Sequence, residues 1–440
     1  MLSAFFNAFK IRDLRNKILF TLVIIAVYRL GSFIPTPGVD SGALRQLIEQ
    51  SAATGAAQII NLFSGGAFTQ LAVFALGIMP YITASIIMQL LTVVIPRLEE
   101  WQQEGESGAK RINQWTRYLT VGIAVLQSTT LITVLQSGGG AGAGALFGGA
   151  SLPPGVNLIP DDSLGMRALM VLTLTAGTAC IMWLGELITS RGVGNGMSLI
   201  IFVAIISELP SQGNQILQSS GPVVFGVVLL VALLLIVGVV VVEQGQRRIP
   251  VQYARRQIGT RSYGGNSTYI PLKVNQSGVI PIIFASSMLY VPVLAASIFS
   301  QQTWLVNFVD QYLSGQNINW VYILTYFVLV VFFAYFYTAI TFNPINVADN
   351  MKKYGGFIPG IRPGQRTAEE LDRVITRLTL PGSLYLATLA ILPFLALGIA
   401  GVPFPFAGAT LLIVVGVGLE TMKQIESQMM QRHYEGFLRR

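Results

Sequence analysis

The sequence predicts an all-α polytopic membrane protein with ten transmembrane helices in two halves of five. Three observations carry this. Ten apolar stretches, each near the roughly 20 residues that a helical span needs, recur between Ile18 and Thr421. The chain is 52% hydrophobic and 11% charged, where a soluble domain has about 25% charged residues. When the stretches are threaded through a bilayer, 25 of the 28 Lys and Arg fall on one side or its borders. A transmembrane barrel is excluded, because runs such as Val223–Val242 are continuously apolar and barrel strands alternate.

The first stretch, 18–37, follows Lys10, Arg12, Arg15 and Lys17, and no small-residue cleavage motif follows it. It is expected to be a retained first helix. Asn61–Leu71 (NLFSGGAFTQL) comes next, interrupted by Gly65 and Gly66 and too short to cross. It is either a half-helix or re-entrant segment, tolerated only against protein or a wet cavity, or an amphipathic helix on the outer face. Spans follow at 75–95, 118–137 and 165–188, with a glycine-rich outer linker at 138–150 between the last two. The span at 197–210 is short and follows the RGVGNG turn at Arg191–Gly196, a pattern of thinned membrane or cavity-lining geometry. An outer hinge loop is expected at 211–221. The second half then holds spans at 222–242, 276–298, 317–340, 378–398 and 407–422. Residues 1–210 and 222–440 thus carry five spans each. An odd number per half turns the second half upside down relative to the first, the inverted-repeat arrangement with a path between halves. The even total puts both termini on one side, and the Lys/Arg bias makes that side the cytoplasm.

Enzyme chemistry is excluded. There is no Ser–His–Asp set, no HExxH and no phosphate-binding loop, and the glycines at 192–196 follow a helix rather than a strand. One cysteine, Cys180, and one histidine, His433, cannot form a disulfide within the chain or a metal cluster, so no cofactor is expected. Glu99, Glu100, Glu104 and Glu106 are a solvated face balancing Lys110 and Arg111. Glu186, Glu208 and Glu243 sit near helix ends, where snorkelling or local pairing is the ordinary role, and Glu420, the best isolated carboxylate, fits a structural role at the cytoplasmic edge better than a proton relay. Chemistry is richer in two long basic loops, 243–273 and 341–377. The first reads EQGQRRIPVQYARRQIGTR from Glu243, with the pairs Arg247, Arg248 and Arg255, Arg256; the second carries Arg362 on the glycine- and proline-bounded tip YGGFIPGIRPG. The net charge of +8 belongs to this face and favours anionic lipids or an acidic partner. Anchoring alone does not explain charge carried on long loops; a docking surface for a cytosolic partner does.

A resemblance then joins these parts. Phe63–Gly66 (FSGG), Phe74–Gln89 (FALGIMPYITASIIMQ), Glu104–Arg111 (EGESGAKR), Trp183–Ser198 (WLGELITSRGVGNGMS), Gly245–Gln252 (GQRRIPVQ), Gly278–Ser286 (GVIPIIFAS), Phe342–Pro344 (FNP), Phe357–Gly364 (FIPGIRPG), Thr376–Thr379 (TRLT) and Leu411–Val415 (LLIVV) occur in an order that resembles the SecY family of protein-conducting channels along essentially the whole chain. The resemblance implies an hourglass of two inverted five-helix halves with a re-entrant plug at 61–72, including Asn61, Phe63, Gly65 and Gly66. It implies a constriction of Ile78, Ile82, Ile201, Ile283 and Ile413. It implies a lateral gate between the second and third full spans and the seventh and eighth, with Thr83, Gln89 and Thr92 on one side and Ser286, Ser287 and Val291 on the other, where polar side chains can pair when closed. Arg247, Arg248, Arg255, Arg256 and Arg362 become the docking surface for the ribosome and the motor ATPase SecA, and the small membrane subunits SecE and SecG become expected partners. The implied activity is passage of unfolded, signal-sequence-bearing preproteins across the bacterial cytoplasmic membrane, with lateral release of hydrophobic segments. A secondary transporter would instead need a polar site at the midplane, where this chain offers isoleucines, with Arg29 in the first span the main charged oddity.

Overall fold

The computed structural model describes residues 11–40, 42, 61, 63–136, 159, 163–253, 256–258, 261–263, 267–298, 302–313, 319–400 and 408–438. Its first part comprises α1 (Arg12–Gly31), α2 (Met79–Val94), α3 (Pro96–Gln103), α4 (Glu106–Gln136), α5 (Leu164–Arg191), α6 (Gly196–Gln218) and α7 (Ser220–Gln244). Strands β1 (Gln246–Tyr253), β2 (Arg256–Ile258), β3 (Arg261–Tyr263) and β4 (Ser267–Lys273) follow. Then come α8 (Ile280–Ile298), α9 (Thr303–Phe308), α10 (Trp320–Thr341), α11 (Pro344–Lys353), β5 (Gly356–Phe357), α12 (Gln365–Ala400) and α13 (Gly408–Leu438). Each of the ten expected spans falls on a helix. Among the described residues, α4, α5, α6, α7, the α10–α11 stretch and α12 are each long and apolar enough to cross a bilayer, and α2 with α3, bent by 100°, makes a seventh.

Local sequence sets the helix starts. Asn195 accepts from the backbone N–H of Met197 and Ser198, and Asn343 does the same for Ile345 and Asn346 ahead of Pro344. These caps satisfy donors that a first turn leaves free. Small residues set the approach between elements. A Cβ on Gly177 of α5 would lie 2.0 Å from the carbonyl oxygen of Val73, so only glycine lets the segment before α2 lie against α5.

Three boundaries differ from expectation. Helix α1 ends at Gly31 rather than 37, because Pro35 and Pro37 cannot continue it. The strand-like stretch after it pairs with the backbone around residue 72: Thr36 N–H donates to Leu71 O at 2.9 Å and Val73 N–H to Ile34 O at 2.8 Å. The span expected to be short, 197–210, runs on through Pro210 to Gln218, a helix of 23 residues. It therefore gives no sign of thinned membrane. Most of the expected hinge loop 211–221 is helical, and the turn is concentrated at Gly221, whose φ of 84° and ψ of 170° suit glycine alone.

The first long loop is the exception to an all-helical architecture. Strand β1 pairs antiparallel with β4, Ile249 opposite Ile270, and on its other edge with β5, Gln252 opposite Phe357. Ile249, Val251 and Leu272 bury their side chains with Met351 of α11, Ile358, and Leu371 and Ile375 of α12. This basic surface thus has an apolar core of its own. The largest core joins α1, α2, α5, α6, α7 through Val239, α8, α10, α12 and α13. A second gathers Phe68, Leu71 and Leu76 with Leu131 and Leu135 of α4, Met170 and Leu174 of α5 and Ala296 of α8. Helix α7 leaves Val223, Val227, Leu230, Leu233, Leu234, Val237 and Val241 exposed, which fits a helix facing lipid.

Candidate functional site

The glycine-broken segment lies inside the molecule. Phe63, Ser64, Ala67, Phe68, Leu71 and Ala72 are buried, which excludes an amphipathic helix on the outer surface. Gly65 and Gly66 take left-handed φ values of 64° and 86°. A Cβ on Gly65 would lie 2.8 Å from Cα of Ala204 in α6, so the FSGG pair answers both to turn geometry and to close approach. Internal bonds shape the segment: Ser64 Oγ donates to Asn61 O at 3.1 Å and accepts from Phe68 N–H at 3.2 Å, and Thr69 Oγ1 donates to Gly66 O at 2.6 Å. External bonds hold it. Tyr28 Oη donates to Ser64 O at 3.2 Å. Arg29 Nη1 donates to Gly65 O at 2.8 Å and to Ser207 Oγ at 2.9 Å. Asn61 Nδ2 donates to Glu208 Oε1 at 3.0 Å. Sequence reasoning reads Glu208 as a helix-end carboxylate and Arg29 as an oddity; the signal available for both is an ionisable residue within a span, which marks a site by default.

The five isoleucines come from separate parts of the chain and meet in the main core. Ile78 caps α2 and Ile82 lies in it; Ile201 belongs to α6, Ile283 to α8 and Ile413 to α13. All five are buried, none more than 9% exposed. The cluster they share also holds Phe63 and Ala67 of the glycine-broken segment. Branched apolar side chains at a narrowing disfavour a continuous column of water.

Helix α8 packs against both α2 and α4, which brings the two expected gate faces together. Three of their hydroxyls bond within their own helices. Thr83 Oγ1 donates to Met79 O, Thr92 Oγ1 to Gln89 O and Ser286 Oγ to Ile283 O, each within its own helix. Hydroxyls on a helix have these carbonyls in reach one turn back. Ser287 Oγ is buried without a hydrogen-bond partner, and Val291 is exposed.

On the basic surface, Arg247 and Arg248 are consecutive in β1 and therefore point to opposite faces of the sheet. Both are exposed, and the Arg248 guanidinium stands 4.8 Å from the Tyr269 ring centroid. Arg256 is placed by its backbone in β2, opposite Tyr263; Arg255 lies outside the described residues. Arg362 is exposed between Gly360 and Gly364, whose φ values are 84° and 107°, and its carbonyl accepts from Thr367 Oγ1 at 3.0 Å. The carboxylates behave as expected where they are paired: Glu106 with Lys110 at 3.0 Å, Glu104 with Arg111 at 3.5 Å, and Glu186 of α5 with Arg117 of α4 at 2.6 Å.

Known proteins share this sequence and fold. The sequence profile of the SecY family matches residues 72–422. The protein translocase subunit SecY of Streptomyces griseus is 56% identical over 447 residues, and that of Mycobacterium tuberculosis 54% over 452, each match covering both chains completely. Among solved structures, a SecY protein whose plug domain stabilises the closed state of its translocation channel and maintains a membrane seal superposes with a TM-score of 0.62 at 16% identity. That match covers 94% of this chain and 92% of the other. Sec61 in the canine ribosome-channel complex from the endoplasmic reticulum gives 0.61 at 16% identity with the same coverage. With a profile match over most of its length and full-length relatives at more than half identity, the chain belongs to the SecY family.

Proposed function

We propose that the chain is the channel-forming subunit of a protein translocase, a multi-pass membrane protein that passes unfolded preproteins across the bacterial cytoplasmic membrane and releases hydrophobic segments sideways into the bilayer. It is a gated path rather than an enzyme. Energy comes from a partner, the SecA ATPase or the translating ribosome, docking on the surface of Arg247, Arg248, Arg255, Arg256 and Arg362. Arginine suits both, because its planar fork engages carboxylate and phosphate alike. SecE and SecG complete the membrane assembly, anionic lipids bind the same basic side, and both termini face the cytoplasm. The halves 1–210 and 222–440 hinge at 211–221, where Gly221 supplies the turn. Residues 61–72 plug the path, and Ile78, Ile82, Ile201, Ile283 and Ile413 form its constriction.

One observation carries the reading: a glycine-broken segment seated in the interior shares an apolar cluster with isoleucines drawn from α2, α6, α8 and α13. A closed path needs such a seal, and a pump built on buried carboxylates does not. Secondary transport is disfavoured because Arg29, Ser207 and Glu208 are occupied by the plug segment rather than lining a substrate site. The test reconstitutes the chain with its membrane partners in liposomes and adds a preprotein with SecA and ATP. Full-length, protease-protected product inside the vesicles is expected; absence of protected product with active SecA overturns the reading.

A further inference from the structure

Two ionisable side chains in adjacent spans converge on a short stretch of backbone. Arg29, in the last turn of α1, commits one guanidinium nitrogen to Gly65 O and Ser207 Oγ. Glu208, 8% exposed in α6, accepts from the Asn61 side chain. Its Oε1 would also sit 2.7 Å from a Cβ on Gly66, so the carboxylate presses on the glycine pair. Ser207 adds a third contact, its Oγ lying 3.4 Å from Gly65 O. Desolvating charge inside a span is costly, and such residues persist where they have a task. Here each charged group has a bond to the plug segment, Arg29 to Gly65 O and Glu208 from Asn61, and these two bonds exist only while that segment is seated.

We propose that Arg29 and Glu208 form a two-sided polar clamp that holds the plug closed, and that they are positioning residues of the gate. The inference rests on reading 61–72 as a plug. Apolar burial of Phe63 and Phe68 is non-directional and tolerates sliding. The clamp adds direction, because a charge-assisted bond to one carbonyl is lost on a small displacement. It fixes the rotational setting of the segment as well as its depth. Moving Gly65 away breaks the Arg29 bond to its carbonyl, while Arg29 keeps Ser207 Oγ as a partner within the helices.

The test measures ion leak through the reconstituted complex, with and without deletion of residues 63–70. R29M and E208A, each losing a charge-assisted bond, should raise the leak of the intact-plug channel about tenfold. E208Q keeps an acceptor for Asn61 and should stay within about twofold of the parent. In the plug-deleted background, R29M and E208A should add nothing. If R29M does not accumulate, R29K replaces it and should leak about threefold, since a point charge cannot reproduce the guanidinium geometry. Deletion that leaks while R29M (or R29K) and E208A seal like the parent overturns the clamp and leaves the plug reading standing. Deletion that does not leak overturns the plug reading itself. An equal increase from R29M or R29K with the plug absent overturns the clamp, because Arg29 then acts on the path wall.

Discussion

Ile82, Ile201, Ile283 and Ile413 show how a site can be invisible residue by residue. Each sits in an apolar run where isoleucine is ordinary, and no local spacing connects them. Family motifs pointed to them, and the helices carry all four, with Ile78, into one buried cluster. Their chemistry is collective: branched apolar walls disfavour water together, and a single polar change leaves most of the wall intact. Replacing all four by serine should therefore raise the closed-state conductance several-fold, with the larger effect in the background lacking residues 63–70. Planar-bilayer recordings at matched protein density check it; equal conductance for the serine and isoleucine channels in both backgrounds shows that the constriction lies elsewhere. Arg29 was legible as an exception, a cation inside a span, but its acceptor was not. Gly65 lies far along the chain and presents only a backbone carbonyl, which no side-chain pattern reports.

At the scale of elements, the helices were legible because composition alone selects them. The β1–β4–β5 sheet was not. Its central strand reads QRRIPVQY, with two buried apolar residues, Ile249 and Val251, and a proline between them. Proline normally argues against a central strand. Here Pro250 stands opposite Tyr269 of β4, and β5 reaches only Gln252 and Tyr253, so among the described residues no strand flanks Pro250 on the β5 edge. The sheet gives the basic surface a rigid base, which separates two kinds of mutation. Arg362→Glu changes an exposed charge and should leave folding intact while lowering SecA-dependent import at least several-fold through repulsion at the docking face. Vesicles with equal chain content and unchanged import would refute that role. Val251→Asp instead puts an unpaired carboxylate in the small core, at a cost of about several kcal/mol. Limited proteolysis should then cut between 246 and 273 while the membrane helices stay protected, and both docking and import should fall together.

For the whole molecule, a multi-pass membrane architecture was legible in the span count and the charge asymmetry, because both are sums over the chain. The seam where α8 meets α2 and α4 is a relation between distant segments. Thr83, Thr92 and Ser286 keep their hydrogen bonds within their own helices, so separating the helices breaks none of these three bonds. What separation costs is apolar packing, and an entering signal helix, itself apolar, restores it. On the proposed lateral-gate reading, the seam would part for a helix about 10 Å across. Locking it should stop transport. With Cys180 changed to Ala, cysteines at 83 and 291 should form a disulfide in resting membranes and block preprotein export, and reduction should restore export to the level of the cysteine-free parent. A flexible crosslinker long enough to bridge an open seam should block less than the disulfide does. Efficient disulfide formation with export unchanged would mean that the halves part somewhere other than between α2 and α8, because a covalent bond of that length cannot span an admitted helix.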